Sequence, residues 1–282
     1  MNNEQLNLLI KNALQEDIGD GDHSTLSCIS KEAKGKAVLK IKQDGILAGV
    51  DVAEKIFRFM EPGIQFNRFK QDGENMQYGE TAFEVHAHVH SILQCERLVL
   101  NSMQRMSGIA TLTRKYVDAL SGYKTQLLDT RKTTPNFRLL EKEAVRIGGA
   151  MNHRFGLYDM MMLKDNHIDY CGGIEMAIGK AYAYKLQFKP ALKIEVETRS
   201  LEDVETVLRT GKIDRIMLDN FSPAQIVEAL KLIDGKYETE ASGGINLHNI
   251  REYASTGVDY ISSGAIIHQA VSLDLSLKAF IV

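Results

Sequence analysis

Apolar residues recur at helical spacing through MNNEQLNLLIKNAL, which predicts an amphipathic helix at the start of the chain. After it, GKAVLKIKQDGILAG (35–49) alternates apolar and polar positions, as a half-buried pair of strands does. DVAEKIFRFM reads as a helix, a turn-rich stretch follows, and TAFEVHAHVH (81–90) returns to alternation. Strands in series with one helix predict an α+β module that lays a sheet over other structure. A long helical pattern begins at Ser91 with SILQCERLVLNSMQRM, and Ser107-Gly108 predicts a break or kink before a second run to about Leu120.

Beyond that point the rhythm changes to short apolar strand, polar turn and helix. The apolar runs are TQLLDT (125–130), MMMLK (160–164), ALKIEVE (191–197), DRIMLDN (214–220), YETEAS (237–242) and DYISSG (259–264). Between most of them fall FRLLEKEAVRI, IEMAIGKAYAYKL, SLEDVETVLRT, SPAQIVEALKLI and NLHNIREYAST, each with helical periodicity. Repeated strand–helix units predict a parallel sheet, closed as a barrel or open and doubly wound. The final SLDLSLKAFIV alternates again and is able to return to the N-terminal module.

Composition narrows the function classes. A chain of 282 residues, 44% of them hydrophobic, can bury one large core or two unequal ones. Its formal net charge of -3 lacks the basic excess that a nucleic acid or anionic membrane demands. No apolar run approaches the roughly 20 residues that span a bilayer, and the start lacks the basic-then-apolar layout of a secretory signal. Cys28, Cys95 and Cys171 are far apart with no CxxC pair, which fits a reducing, cytoplasmic compartment.

The chemistry lies in what terminates each apolar run. The endings are Asp129-Thr130-Arg131-Lys132, Lys164-Asp165-Asn166-His167, Glu197, Asp219-Asn220, Ser242-Gly243-Gly244 and Ser263-Gly264. In a β/α barrel all the carboxyl ends of the strands meet on one face, where active sites sit. From Arg131 to His167 there are seven Lys/Arg against four Asp/Glu, a local +3 in a chain of -3. Lys142, flanked by Glu141 and Glu143, reads as ordinary helix surface. Arg131, Lys132, Arg154 and Lys164 fall at strand ends or loops and suit an anion: Arg a planar carboxylate, Lys a phosphate. The glycine-bearing ends 242–244 and 262–264 allow close backbone approach to a phosphate before a helix start. Glu197 and Asp219 either pair with these cations, or hold Mg²⁺ carried by a polyphosphate or stabilise positive charge on a sugar.

Other signals carry less. His86, His88 and His90 alternate as metal ligands could, but no further ligand can be placed near them, so they read as a solvent-exposed strand face. The acidic run from Asp17 resembles a calcium loop, yet the twelfth position counted from Asp20 is Lys31 where a bidentate Glu is required. It reads instead as a helix end with a turn. Met160 to Met162 is core packing in a buried strand.

Taken together, DTRKTTP (129–135), GGAMNHRFGLYD (148–159), LKDNHI (163–168), EVE (195–197), LDNF (218–221), SGGI (242–245) and SGAIIH (263–268) resemble the quinolinate phosphoribosyltransferases, or carboxylating nicotinate-nucleotide pyrophosphorylases. EDIGDGDHST and CERLVLNSMQRMSGIAT match the same family, so the resemblance runs in order along essentially the whole chain. It implies an N-terminal α/β sandwich (1–106, joined by 269–282) and an incomplete β/α barrel of six or seven strands (107–268). It further implies a homodimer, with the N-terminal part of one subunit over the barrel mouth of the other.

The implied reaction joins quinolinate to phosphoribosyl pyrophosphate with Mg²⁺, releasing pyrophosphate and carbon dioxide and leaving nicotinate mononucleotide. By matching position, Arg131, His153, Arg154 and Lys164 would bind the quinolinate carboxylates, with Thr130 beside them and Lys132 between quinolinate and pyrophosphate. Arg97 would reach across from the partner subunit. Glu197 and Asp219 would lie at the ribose and metal, and Ser242, Gly243, Gly244, Ser263, Gly264 and Ala265 would hold the ribose phosphate. Lys132, Glu197 and Asp219 would carry the chemistry, and no organic cofactor is called for. Two departures from the family pattern, Ala241 and Ser263, touch only phosphate contacts. Three alternatives remain at this level: a sister protein associated with molybdenum transport, a barrel aldolase or decarboxylase using Lys164 as a Schiff base, and a non-catalytic phosphoribosyl-pyrophosphate sensor.

Overall fold

The Asn2 side chain accepts the N–H groups of Glu4 and Gln5 and so starts α1 (Asn3–Ile18), whose Leu6, Ile10 and Leu14 recur every four residues and are buried. Residues 2–281 are described by a computed structural model. In chain order there follow α2 (His23–Cys28), β1 (Lys34–Ile41), β2 (Gly45–Ile46), α3 (Val50–Met60), β3 (Gln65–Arg68), β4 (Asn75–Met76), β5 (Thr81–His88) and α4 (Val89–Ala119). The strand–helix series is β6 (Gln126–Leu128), α5 (Arg138–Gly148), β7 (Met161–Leu163), α6 (Asp165–Cys171), α7 (Ile174–Phe188), β8 (Ile194–Thr198), α8 (Leu201–Thr210), β9 (Arg215–Asp219), α9 (Pro223–Ile233), β10 (Glu238–Ser242), α10 (Ile250–Ser255), β11 (Tyr260–Ser262) and α11 (Ala265–His268). A last strand, β12 (Leu275–Ile281), ends the described chain. No helix among the described residues is long and apolar enough to cross a membrane.

Two units emerge. The first takes the chain up to Arg114 together with Thr133–Gly149 and the segment from Ile266. Its antiparallel sheet has the order β12-β1-β5-β3, so the final alternating segment does return to the N-terminal strands. Phe57 of α3, Phe66 of β3 and Phe83 of β5 cluster on it, the last two stacked at 4.6 Å between centroids. Arg105 ties this unit together: its Nε donates to the buried Glu141 of α5, and its Nη atoms donate to the carbonyls of Ala270 and Ile267.

The second unit, Lys115–Lys132 with Ala150–Ala265, holds six parallel strands in the order β6-β11-β10-β9-β8-β7. Sequence neighbours are spatial neighbours from β7 round to β11, and β11 then pairs with β6, which is the order of a β/α barrel. The position between β6 and β7 is a stub, a single bridge from Leu128 to Met151. Among the described residues no ladder joins Met151 to β7, so the barrel is incomplete at that seam. Register sets Glu195 opposite Arg215 and Arg215 opposite Glu238. By the two-residue period, Glu195 and Glu197, Arg215 and Asp219, and Glu238 and Glu240 therefore share one face. The alternate residues Ile194, Val196, Ile216, Leu218, Ala241 and Ile261 are buried on the other face.

Several local expectations are corrected. The helix α4 runs unbroken through Ser107-Gly108. Gly108 serves close approach there, since a Cβ on it would lie 2.1 Å from the Val271 carbonyl oxygen, and the Ser107 hydroxyl bonds the Ala48 backbone. Lys142 and Glu141, expected on a solvated face, are 2% and 0% exposed because α5 is packed into the first unit. The three histidines do not share a strand face: β5 stops at His88 and His90 sits on α4. They are half-buried and take separate partners, Glu84 for His86, Glu61 for His88 and the Ile29 carbonyl for His90. After the turn that ends α1, Asp22 caps the short α2, which the sequence reading missed along with α6, β3 and β4.

Gly108→Ala gains about 1 kcal/mol of helix propensity but forces its methyl group into backbone. We expect a net loss of about 1–3 kcal/mol in unfolding free energy, read by urea denaturation. Unchanged stability would mean that the 271–272 segment does not press on α4.

Candidate active site

Each strand of the second unit delivers its terminal side chain to the same end of the barrel. Glu197 is buried as the penultimate residue of β8, and Asp219 ends β9 two residues beyond the partner of Glu197, on the same face. Lys164 follows β7 as the residue preceding α6, and its Nζ lies 3.3 Å from Glu197 Oε2. The Asp165 N–H also points to Glu197, at 3.4 Å.

The cations are held by Asp129, which is wholly buried just after β6. Its Oδ1 accepts the His153 N–H at 2.8 Å and its Oδ2 the Asn152 side-chain amide at 2.7 Å, which fixes the segment after the Met151 stub against β6. Asp159 shapes the rest of that loop by accepting the N–H groups of Phe155 and Gly156. Arg154 then spans the open seam, its Nη1 donating to the Met160 carbonyl at 3.1 Å. Its other N–H groups have no acceptor among the described residues. Arg131 is close enough that its charge, together with burial, pushes the Arg154 guanidinium below its ordinary range. The Arg131 Nε is itself buried without a hydrogen-bond partner. Lys132 stands exposed next to it, its N–H bonded to the Thr130 hydroxyl. Two crowded guanidinium groups with unspent donors form an anion site.

The glycine-bearing ends adjoin one another. Gly243 and Gly244 have φ of 94° and 64°, and a Cβ on Gly243 would lie 2.2 Å from the Asn220 side-chain oxygen. Asn220 donates its own N–H to the Ser242 carbonyl, linking the ends of β9 and β10. Ser263 is buried, its N–H donating to the Leu128 carbonyl and its hydroxyl to that of Ile245. Both groups are thereby used in joining strand ends, and the Gly264 and Ala265 backbone is what remains at β11 for a phosphate.

Beneath this mouth the inward face carries charge that the sequence reading missed. Arg215 donates to Glu240 at 3.0 Å and to Glu238 at 3.0 Å, and its guanidinium carbon lies over the Tyr260 ring, 4.1 Å from the centroid. The His153 Nε2 is 3.1 Å from both Glu195 and Glu240, whose side chains are fully buried. Its Nδ1 accepts the Arg154 N–H at 2.7 Å. Burial opposes a charge on the ring, but the two carboxylates more than offset it and hold His153 up to about 9. Burial and the Glu240 charge raise Glu195 to about 7, while Glu240 stays below the ordinary carboxylate value despite its burial because His153 and Arg215 face it. Both upward shifts favour a proton kept within the cluster that separate groups would release. Since Nδ1 needs its lone pair for the Arg154 N–H, that proton lies between Nε2 and the two carboxylates. His153, Glu195 and Glu240 have a metal-like composition, with ligand atoms within 4.8 Å of one another. Arg215 already supplies the positive charge there. The acidic alternation in ALKIEVE and YETEAS was the available signal for this layer.

Thr130, Arg131, Lys132, His153, Arg154, Lys164, Glu197, Asp219, Ser242, Gly243, Gly244, Ser263, Gly264 and Ala265 all belong to the second unit. Arg97 belongs to the first, exposed on α4 with its guanidinium 3.4 Å from Glu96.

Two family models match the chain. "Quinolinate phosphoribosyl transferase, C-terminal domain" covers residues 109–278, and the corresponding N-terminal domain covers residues 22–107. The chain is 42% identical to the chloroplastic carboxylating nicotinate-nucleotide pyrophosphorylase of Oryza sativa, over 97% of this chain and 77% of that one. It is also 42% identical to the probable carboxylating nicotinate-nucleotide pyrophosphorylase of Bacillus subtilis, over 98% and 94% of the two chains. Among solved structures, NadC from Streptococcus pyogenes superposes with a TM-score of 0.92 at 40% identity, covering 100% of this chain and 99% of that one.

The buried cluster gives stability a sign with pH. A folded chain whose His153–Glu195–Glu240 cluster keeps this proton above the ordinary histidine value of 6.5 holds that contribution whole below about pH 6.5 and loses it as pH rises through about 9. The raised Glu195 acts in the same direction at lower pH. The melting temperature is expected to fall from pH 7 to pH 10, with a shallower fall in His153→Gln, as followed by scanning calorimetry. Equal slopes for the two proteins would remove His153 from the account.

Proposed function

The chain belongs to the quinolinate phosphoribosyltransferase family, and we propose that it transfers the phosphoribosyl group of phosphoribosyl pyrophosphate to the ring nitrogen of quinolinate. One carboxylate leaves as carbon dioxide, and the products are nicotinate mononucleotide and pyrophosphate. The observation that supports this most directly is the pair Arg131 and Arg154, two crowded guanidinium groups with unspent donors in the same unit as the strand-end carboxylates Glu197 and Asp219.

A flat dicarboxylate answers such a pair. Arg131 and Arg154 take one planar carboxylate edge each or share them, Lys164 adds charge from β7, and the ring nitrogen is thereby aimed at the sugar. As the anomeric bond breaks, positive charge builds on the ribose ring, and the Glu197 and Asp219 carboxylates stabilise it. Lys132 meets the negative charge of the departing pyrophosphate. Once alkylated, the ring nitrogen is a cation beside a carboxylate. Loss of carbon dioxide leaves an electron pair at that carbon which the neighbouring cation stabilises until a proton arrives.

Glu197 and Asp219 offer hard oxygen donors from adjacent strands on one face, which fits Mg²⁺ arriving with a polyphosphate. When bound, the metal neutralises phosphate oxygens. In this reading the ribose phosphate rests on the glycine-bearing end at 242–244 and on the Gly264 and Ala265 backbone, not on Ser263, whose N–H and hydroxyl are already bonded. The enzyme acts as a homodimer, with Arg97 completing the partner's site, in the cytoplasm. Lys164 is ion-paired and exposed, unlike the desolvated amine that Schiff-base chemistry needs, so nothing favours an aldolase.

The test is pyrophosphate and nicotinate mononucleotide formation from phosphoribosyl pyrophosphate and Mg²⁺, with quinolinate or nicotinate in parallel. Product from quinolinate alone is expected, since nicotinate leaves buried cationic donors unpaired. Glu197→Gln should lower kcat by about a hundredfold or more. Arg131→Lys should raise the quinolinate KM by roughly tenfold, because lysine cannot reproduce the planar fork. Product from neither acid would leave the sensor reading in its place.

A further inference from the structure

We propose that Glu141 is a positioning residue for Arg131 and Lys132: it clamps the chain at Thr134, two residues after Lys132, onto the Arg105 guanidinium. This rests on the reaction just proposed and deepens it, since Arg131 and Lys132 are assigned there to the dicarboxylate and the departing pyrophosphate.

A carboxylate removed from water must have its charge answered within the protein. Glu141, on α5, is 0% exposed, and its two oxygens divide the work. Oε1 accepts Arg105 Nε at 3.0 Å and the Thr134 hydroxyl at 2.9 Å. Oε2 accepts the Thr134 backbone N–H at 2.8 Å. Both polar groups that Thr134 can donate are thus held by one buried side chain. Thr134, Glu141 and Arg105 all belong to the first unit.

Arg105 is the post to which this clamp is fixed. It donates Nη1 to the Ala270 carbonyl at 2.7 Å and Nη2 to the Ile267 carbonyl at 2.9 Å. All three nitrogens of the fork therefore face protein acceptors, whereas the Arg131 Nε is buried without one. A guanidinium engaged in this way suits support, not ligand binding.

The segment between β6 and α5 carries Arg131 and Lys132 and is held at both ends. At its near end the Asp129 N–H donates to the Met151 carbonyl at 3.2 Å. At its far end stand the Glu141 clamp and Arg138, whose Nε donates to the Thr133 hydroxyl at 2.9 Å. Between them, the Lys132 N–H bonds only within the segment, to the Thr130 hydroxyl. Where Arg131 and Lys132 start from is thus set by the two ends, and the chain passes from Lys132 directly into the clamped Thr133-Thr134 pair.

Thr134→Val removes the hydroxyl bond and keeps the volume and the backbone N–H, while Thr134→Ser keeps the hydroxyl. Glu141→Gln keeps the shape but turns an amide N–H toward a present donor. Steady-state kinetics should show quinolinate KM raised and kcat lowered by about fivefold each in Thr134→Val, and by more in Glu141→Gln. Thr134→Ser should stay within about twofold of wild type. An effect that acts through a neighbour disappears when that neighbour is gone. In an Arg131→Ala background, Thr134→Val should therefore change quinolinate KM by less than about twofold, and in Lys132→Ala it should change kcat as little. An undiminished effect in either background overturns the positioning of the residue concerned.

Hydrogen exchange across residues 130–134 of the free protein needs no turnover. It is expected to run about tenfold or more faster in Thr134→Val and Glu141→Gln than in wild type, with β8 and β9 unchanged. Should Glu141→Gln fail to fold, Thr134→Val, which leaves Glu141 and Arg105 in place, carries both measurements. Unchanged exchange at 130–134 sinks the clamp whatever the activity. Wild type that forms no product from quinolinate, with exchange still responding, fails the reaction alone and leaves the clamp standing.

Discussion

Two carboxylates removed from water, Glu195 and Glu240, must be neutralised inside the barrel, and the mouth above depends on how this is done. Arg215 and His153 do it, with Glu238 and the Tyr260 ring holding Arg215 in place. The arrangement departs from the apolar side-chain layers that fill many β/α barrels. Ion pairs buried this deeply add little net stability, yet loss of one member leaves an unpaired buried charge, at a cost of about 3–5 kcal/mol. Such a cluster resists small displacements, and a barrel with one strand reduced to a single bridge gains a rigid cross-brace from it.

Around the ring, chemistry is divided by strand. Arg131, Lys132, Arg154 and Lys164 come from β6, the Met151 stub and β7; Glu197 and Asp219 come from β8 and β9; the glycine-bearing ends come from β10 and β11. Cations, carboxylates and phosphate-accommodating backbone thus occupy consecutive arcs. Under the proposed reaction these arcs face the dicarboxylate, the sugar and its phosphate in turn. The seam in the wall falls within the cationic arc. That is where an arginine side chain can replace missing ladder bonds and still present donors to a ligand.

Much of this was legible from alternation alone, because strand and helix periods differ and the strand–helix rhythm was regular. The six barrel strands and the return of β12 to the first sheet were all visible as apolar runs. The strand-end residues followed, since a parallel barrel collects them on one face. What escaped detection depended on neighbours distant in sequence. Gly108 looked like a helix breaker, because nothing local reveals that Val271 presses against it. Lys142 looked solvated, because its helix shows charges on a face that the first unit buries. The inward set Glu195, Arg215, Glu238 and Glu240 lay in plain view as alternating charges within strands. Only the register shows that they face one another.

The pairing of β12 with β1 also bears on how the chain is made. From Gly35↔Ile281 to Ile41↔Leu275, one edge of β1 is satisfied by residues more than two hundred positions later. During synthesis β1 and β5 can pair early, but that edge keeps its open N–H and C=O groups until residue 281 has cleared the ribosome. The carbonyls of Ile267 and Ala270 that receive Arg105 arrive equally late. The first unit is therefore begun before the barrel and finished after it. A nascent chain of this protein carries an unpaired strand edge through most of its translation, the setting in which chaperones guard against wrong partners.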